Sequence, residues 1–128
     1  MIILSATTYD DESTVIGDRF KGDGYYGSND GLHTVAWKIT NFVGTIKIQG
    51  SLASTPTAND WFDIELGGST ELSIDTTGKA SLNNISSVTY TSATTKNSTY
   101  NFVGNYVWVR AVIENFSAGT VNSIHMNN

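Results

Sequence analysis

Side chains that could attack a bond, hold a proton or grip a metal are few in this chain, and their spacing is wrong for the common chemistries. His33 and His125 are its histidines, and neither falls in H-E-x-x-H or a comparable ligand spacing. Cysteine is absent, which excludes disulfides and thiolate metal sites. No G-x-S-x-G elbow exposes a serine nucleophile. Asp63 and Glu65 would share one face of a strand, but a glycosidase pair needs two carboxyls across a cleft, one held protonated by burial. Gly22 to Gly27 spells G-x-G-x-x-G, a phosphate loop only when a strand precedes it and a helix follows. Here Ser28 to Gly31 follows, and it reads as a turn. Asp18, Asp23, Asn29 and Asp30 are oxygen donors of the kind calcium prefers, yet their spacing is unlike the EF-hand and the same residues are ordinary turn formers. The expectation is a chain that is not an enzyme, with no catalytic residue, no cofactor and no metal. A hydrolase built on His33 is the weaker catalytic alternative, because its nucleophile is missing.

The aromatic residues carry more information. Trp61 and Trp108 fall on the faces opposite their strands' apolar residues, Trp108 beside Tyr106 and Arg110. Tyr25 and Tyr26 lie in the glycine-rich loop. Outward Trp, Tyr and Arg are the residues enriched at interface hot spots, so Trp61, Tyr106, Trp108 and Arg110 are candidate interface residues. Flat exposed rings also stack on sugars, which makes Tyr25, Tyr26, Trp61 and Trp108 candidates for glycan stacking. The plainer alternative is that Trp61 and Trp108 lie under a covering loop.

Strands must position these residues, for helical periodicity is nowhere sustained and period-two alternation recurs. Val35, Trp37 and Ile39 face one way; so do Ile46, Ile48 and Leu52, then Phe62, Ile64 and Leu66, then Val107, Val109, Ala111 and Ile113. Each set describes a half-buried antiparallel strand. Weaker strands are predicted at 14–20, 72–74, 88–91, 100–103 and 121–126, with turn clusters such as Gly67-Gly68, Thr77-Gly78 and Ala118-Gly119 between them. About eight short strands separated by turns predict an all-β fold, an antiparallel β-sandwich or jelly roll, and the pattern does not separate a sandwich from a barrel. Residues 13–128 form its one domain, as 128 residues suit a single core. Residues 1–12 are either an edge strand of that domain or an arm reaching a neighbouring subunit. Ile2, Ile3 and Leu4 are therefore further interface candidates.

Net charge is −5, with the lysines scattered. A nucleic-acid partner would call for a basic patch, so none is expected. No apolar run approaches the ~20 residues of a membrane span, and Met1 to Leu4 is too short for a signal peptide, so a soluble chain without a membrane partner is expected. Asn84-Ile-Ser86, Asn97-Ser-Thr99 and Asn115-Phe-Ser117 match the glycosylation sequon, but a chain this rich in Asn, Ser and Thr generates such triplets by chance.

Two stretches resemble a known family. Gly44 to Thr57 (GTIKIQGSLASTPT) with Asp60 to Ile64 (DWFDI) resembles a segment of small structural proteins of tailed bacteriophages, notably marine T4-like and cyanobacterial ones. Gly104 to Ile113 (GNYVWVRAVI), continuing through Asn115-Phe116 to the C-terminus, is similar to the closing part of the same proteins. The resemblance implies a virion β-sandwich without catalytic residues, often oligomeric and here expected to be a trimer. Its partners would be other virion proteins of the capsid, neck or tail, and it would serve as capsid decoration or as a collar or fibre component. A carbohydrate-binding module for host-surface recognition is the alternative.

Overall fold

The computed structural model describes residues 1–27, 31–67, 72–74, 76–78, 80–82 and 85–127, and no helix occurs among them. Ser28, Asn29, Asp30, Gly68 and Asn84, singled out in the sequence, lie outside the described residues. The strands are β1 (Ile2–Leu4), β2 (Thr7–Thr8), β3 (Val15–Ile16), β4 (Phe20–Lys21), β5 (Leu32–Ser51), β6 (Phe62–Asp63), β7 (Leu72–Ile74), β8 (Ala80–Leu82), β9 (Val88–Val103) and β10 (Trp108–Asn127). β7 and β8 form a hairpin, and the other strands make one 8-stranded antiparallel sheet.

β5 is the centre of that sheet. Along one side it pairs with β10, from Thr34 opposite Asn127 to Ser51 opposite Trp108. Along the other it pairs with β9 and then β6. On the far side of β10 the first four strands follow in order, from Leu4 opposite Ile124 to Phe20 opposite Val109. Residues 1–21 are thus laid along the chain's own sheet as an interrupted edge. Ile3 is buried in the core and Leu4 packs against it, whereas Ile2 is exposed.

The two 20-residue strands do not run straight. β5 turns at Asn41 (φ 50°), and β10 turns opposite it at Asn115 (φ 51°) and Gly119 (φ 82°). The β5–β10 register shifts between Glu114 and Ala118 and again between Ala118 and Thr120. Bulges bend a strand and reverse which residues face inward. That reversal lets the apolar set pass from Val35, Trp37 and Ile39 to Phe42, Ile46 and Ile48 without leaving the core. The sheet therefore doubles back, and its halves pack as the layers of a sandwich around one cluster. Trp37 Nε1 donates to Tyr90 Oη at 3.1 Å, although Tyr90 pairs with Gly44, seven residues further along β5. A straight strand would put roughly 23 Å between those positions. Phe42 and Phe116 (centroids 5.3 Å apart), with Tyr9 on Phe116 at 5.4 Å, fill the inside of the bend.

Alternation mispredicts the strand ends. Leu52 lies past the end of β5 and is exposed. Tyr106, predicted outward beside Trp108, precedes the start of β10 at Trp108 and packs against the core. Its ring lies so close to Gly50 and Gly104 that a Cβ on either would fall 2.4 Å from a ring carbon. Only glycine leaves room for that approach. Phe62 pairs with Gly50 and so has the inward parity expected of it, but Tyr106 occupies the space over Gly50 and Phe62 stays 58% exposed. Ile64 and Leu66 are buried as alternation predicts.

Candidate functional site

On β10 the odd residues Val109, Ala111 and Ile113 fill the core, so Trp108 and Arg110 point to the outer face. Register then builds a polar row across three strands, with Arg110 opposite Gln49 and Gln49 opposite Asp63. Arg110 Nε donates to Gln49 Oε1, and Gln49 Nε2 donates to Asp63 Oδ1, both at 2.9 Å. Lys47 joins the row through Asp63 at 3.3 Å and through Glu114. The hydrogen bond to Glu114 holds the Lys47 ammonium above its ordinary range, partial burial opposing the effect and Asp63 adding to it.

Cations cover the rings on this face. The Arg110 guanidinium lies 4.1 Å from the Trp61 ring, Arg19 lies 4.4 Å from Trp108, and Lys21 Nζ lies 4.4 Å from Tyr25. Tyr25 in turn contacts Trp108 at 5.3 Å and Tyr26 at 5.4 Å. Trp108 Nε1 donates to the Ser54 carbonyl at 3.0 Å, which ties the loop after β5 to the end of β10. Partial burial alone pushes the Arg110 guanidinium below its ordinary range, though an arginine stays charged at neutral pH.

Arg19 separates two grooves. In one it meets Lys21, Tyr26, Trp108 and the Met1 end of the chain. In the other it meets Trp61, Arg110, Asp18 and residues 56–58. Of the sequence candidates, Tyr25, Tyr26, Trp61, Trp108 and Arg110 come together here, and Tyr106 does not. Ile2, Ile3 and Leu4 flank a separate groove with Ile16 and Phe20. Arg19 was missed because the two-residue strands β3 and β4 carry no periodicity to read.

No protein-family model and no curated protein matches the sequence. Among solved structures, the fold recurs in an SPBc2 prophage-derived protein, YomS. Its crystal structure matches with a TM-score of 0.55 at 15% identity, over 99% of this chain and 90% of that one. At that identity the likeness is one of fold, and the outer face must be read from its own geometry.

His33 and Asp23 meet at the base of the 22–31 loop, while His125, Asp63 and Glu65 stand apart from them. His33 is fully buried, stacked on Phe102 at 4.5 Å, with Nδ1 2.8 Å from the Gly31 carbonyl oxygen. Its Nε2 has no hydrogen-bond partner among the described residues and lies 3.8 Å from Asp23 Oδ1. Asp23 Oδ2 accepts from the Gly31 N–H at 2.9 Å. His33 and Asp23 thus close the ends of the 22–31 loop onto each other. His125 is exposed on β10, far along the strand from Trp108. Asp63 is engaged by Lys47 and Gln49, whereas Glu65 lines a different groove with Gly67 and Asn101. No three acidic or histidine side chains gather among the described residues in a way that could hold a metal.

Proposed function

We propose that this chain is a non-enzymatic structural component of a bacteriophage particle that acts through protein–protein assembly, as capsid decoration or in a collar or fibre. The observation that carries the reading is the recurrence of its fold, over nearly the whole chain, in a prophage-derived protein. The finer assignment to marine T4-like and cyanobacterial phages rests on the resemblance of residues 44–57, 60–64 and 104 onward through Asn115-Phe116 to the C-terminus alone. The outer face supports an assembly role, since Trp61, Trp108, Arg110 and Arg19 are the residue types that dominate interface energetics. A homo-oligomer, with a trimer favoured, bound to other virion proteins is the expected state, and the virion the expected location.

Carbohydrate binding ranks second. Tyr26, 65% exposed beside a groove, is the observation in its favour. Against it, Trp61 and Trp108 already hold a guanidinium over the ring, so the face offers hydrogen-bond donors where a sugar would need bare aromatic surface. Mass spectrometry of purified particles tests the main reading. A copy number near that of the major capsid protein means decoration, and a far smaller one means collar or fibre. Absence from particles refutes the proposal.

A further inference from the structure

Arg19 and Arg110 are the chain's arginines, and both line the groove beside Trp61 and residues 56–58. Among the described residues neither makes an ion pair, although Asp18 lines the same groove. Arg110 is half-buried, and a cation partly withdrawn from water costs stability unless an anion answers it. Its Nε is spent on Gln49, which leaves the outer nitrogens of the fork for another acceptor. Stacking on Trp108 and Trp61 orients both guanidiniums, and an oriented fork suits a carboxylate. Asp18 lines the groove without pairing with either arginine, so both forks stay open to acid groups brought from outside the chain.

A matching acidic element lies elsewhere on the same edge. Asp10, Asp11 and Glu12 are all exposed and make no ion pair among the described residues. They form a turn, with Asp11 at φ 75°, clamped at its base by Tyr9 N–H to the Gly119 carbonyl (2.9 Å) and Phe116 N–H to the Ser13 carbonyl (3.0 Å). The turn is clamped to Phe116 and Gly119, past the Asn115 bend and beyond four residues of unbroken strand from Arg110, roughly 13 Å, and none of its carboxylates pairs with either arginine of its own chain. A second copy's turn can pair with both. We infer that the Asp10–Glu12 turn of one copy docks in the Arg19–Arg110 groove of the next, joining copies head to tail. Such a contact closes into a ring where the rotation allows, which is how it serves the homo-oligomer of the proposed function, on which it rests.

Sedimentation of the full chain tests this with two variants. Arg19→Glu/Arg110→Glu spoils the groove. Asp10→Asn/Asp11→Asn/Glu12→Gln neutralises the turn and keeps a residue type that tolerates positive φ at position 11. Wild type is expected to associate, more weakly as salt rises, and each variant to raise the dissociation constant at least about tenfold. The turn variant touches no core side chain, so its melt should match wild type even if the groove variant folds poorly. Mixed together, the two variants keep one intact groove and one intact turn, and should form a 1:1 pair and nothing larger. Assembly of either variant as tight as wild type overturns the inference, as does failure of the folded mixture to pair. A wild-type chain that stays monomeric also overturns it, and binding of polyglucuronate lost in the groove variant would then assign the groove to sugar acids. Finding the chain in particles while the groove variant still assembles sinks this contact and leaves the proposed function standing.

Discussion

Replacing Gly119 by alanine asks whether the sheet is folded where β5 and β10 turn together. Gly119 has φ 82°, and a Cβ there would lie 2.1 Å from the Asn41 carbonyl oxygen, 2.4 Å from its carbon and 2.6 Å from Phe42 N. All three are backbone atoms, so no side chain can swing aside. A carbon ordinarily stays about 3.3 Å from a carbonyl oxygen, so the strands would have to part by about 1 Å. Left-handed backbone costs a non-glycine residue about 1–2 kcal/mol. Parting the strands would add one or two weakened backbone hydrogen bonds at about 0.5–1.5 kcal/mol each, and would loosen Phe42 against Phe116 behind them. These terms sum to about 1.5–5 kcal/mol before the loosened Phe42 is counted, a large part of the ~5–15 kcal/mol that holds a domain of this size. Gly27→Ala is the control, since Gly27 has φ 70° and nothing within 4 Å, so only the backbone cost of about 1–2 kcal/mol remains. Urea unfolding of both, with the m-value checked for constancy, reads the difference. Should Gly119→Ala cost no more than Gly27→Ala, the close crossing that folds the sheet is wrong.

Tyr90→Phe should cost about 1–3 kcal/mol by leaving Trp37 Nε1 buried without an acceptor, read by urea unfolding followed through tryptophan emission. Gly50→Ala should cost about 1–3 kcal/mol by evicting the Tyr106 ring, and the near-ultraviolet circular dichroism of that tyrosine should weaken with it. Lys47 has a raised folded-state pKa, so its contribution is complete below the ordinary lysine range and is lost as pH rises through the raised value. Melts of wild type and Lys47→Met should therefore converge as pH rises through that alkaline window; a gap that stays flat across it would refute the Glu114–Lys47–Asp63 coupling.

The faces of the strands are legible in the sequence where alternation is unbroken, as at Val35–Trp37–Ile39 and Val109–Ala111–Ile113. Their lengths are not. Asn41 and the Asn115–Gly119 stretch have turn chemistry, and they reverse the parity, so each long strand reads as two short ones. The same residues that hide the continuity create the sandwich, because a bulge is a turn that keeps its hydrogen-bonded partners. The outer face is half legible. Trp61, Trp108 and Arg110 follow from alternation, but Arg19 on Trp108 and the Ser54 carbonyl beneath that indole depend on how separate segments meet. Tyr106 misleads for a physical reason: parity carried past a strand's end has no pleat to enforce it.

The amino-terminal edge bears on the contact inferred between copies. An edge strand invites a partner's strand when it is long and unbroken. Here the edge is cut into β1, β2, β3 and β4, each of two or three residues, with the acidic turn and Gly17 between them. Such an edge makes a poor template for strand addition, which leaves side-chain contacts as the route to assembly along this edge. It is also spent on the chain's own core, for Ile3 is 2% exposed and β1 and β2 pair with β10. Deleting residues 1–8 should therefore remove about 2–5 kcal/mol for the buried isoleucine alone, before the lost ladder is counted, and collapse the melt of the isolated chain. A truncated chain that melts like wild type but no longer associates would show that the segment works between subunits, and the contact at Arg19 and Arg110 would lose its place as the joint.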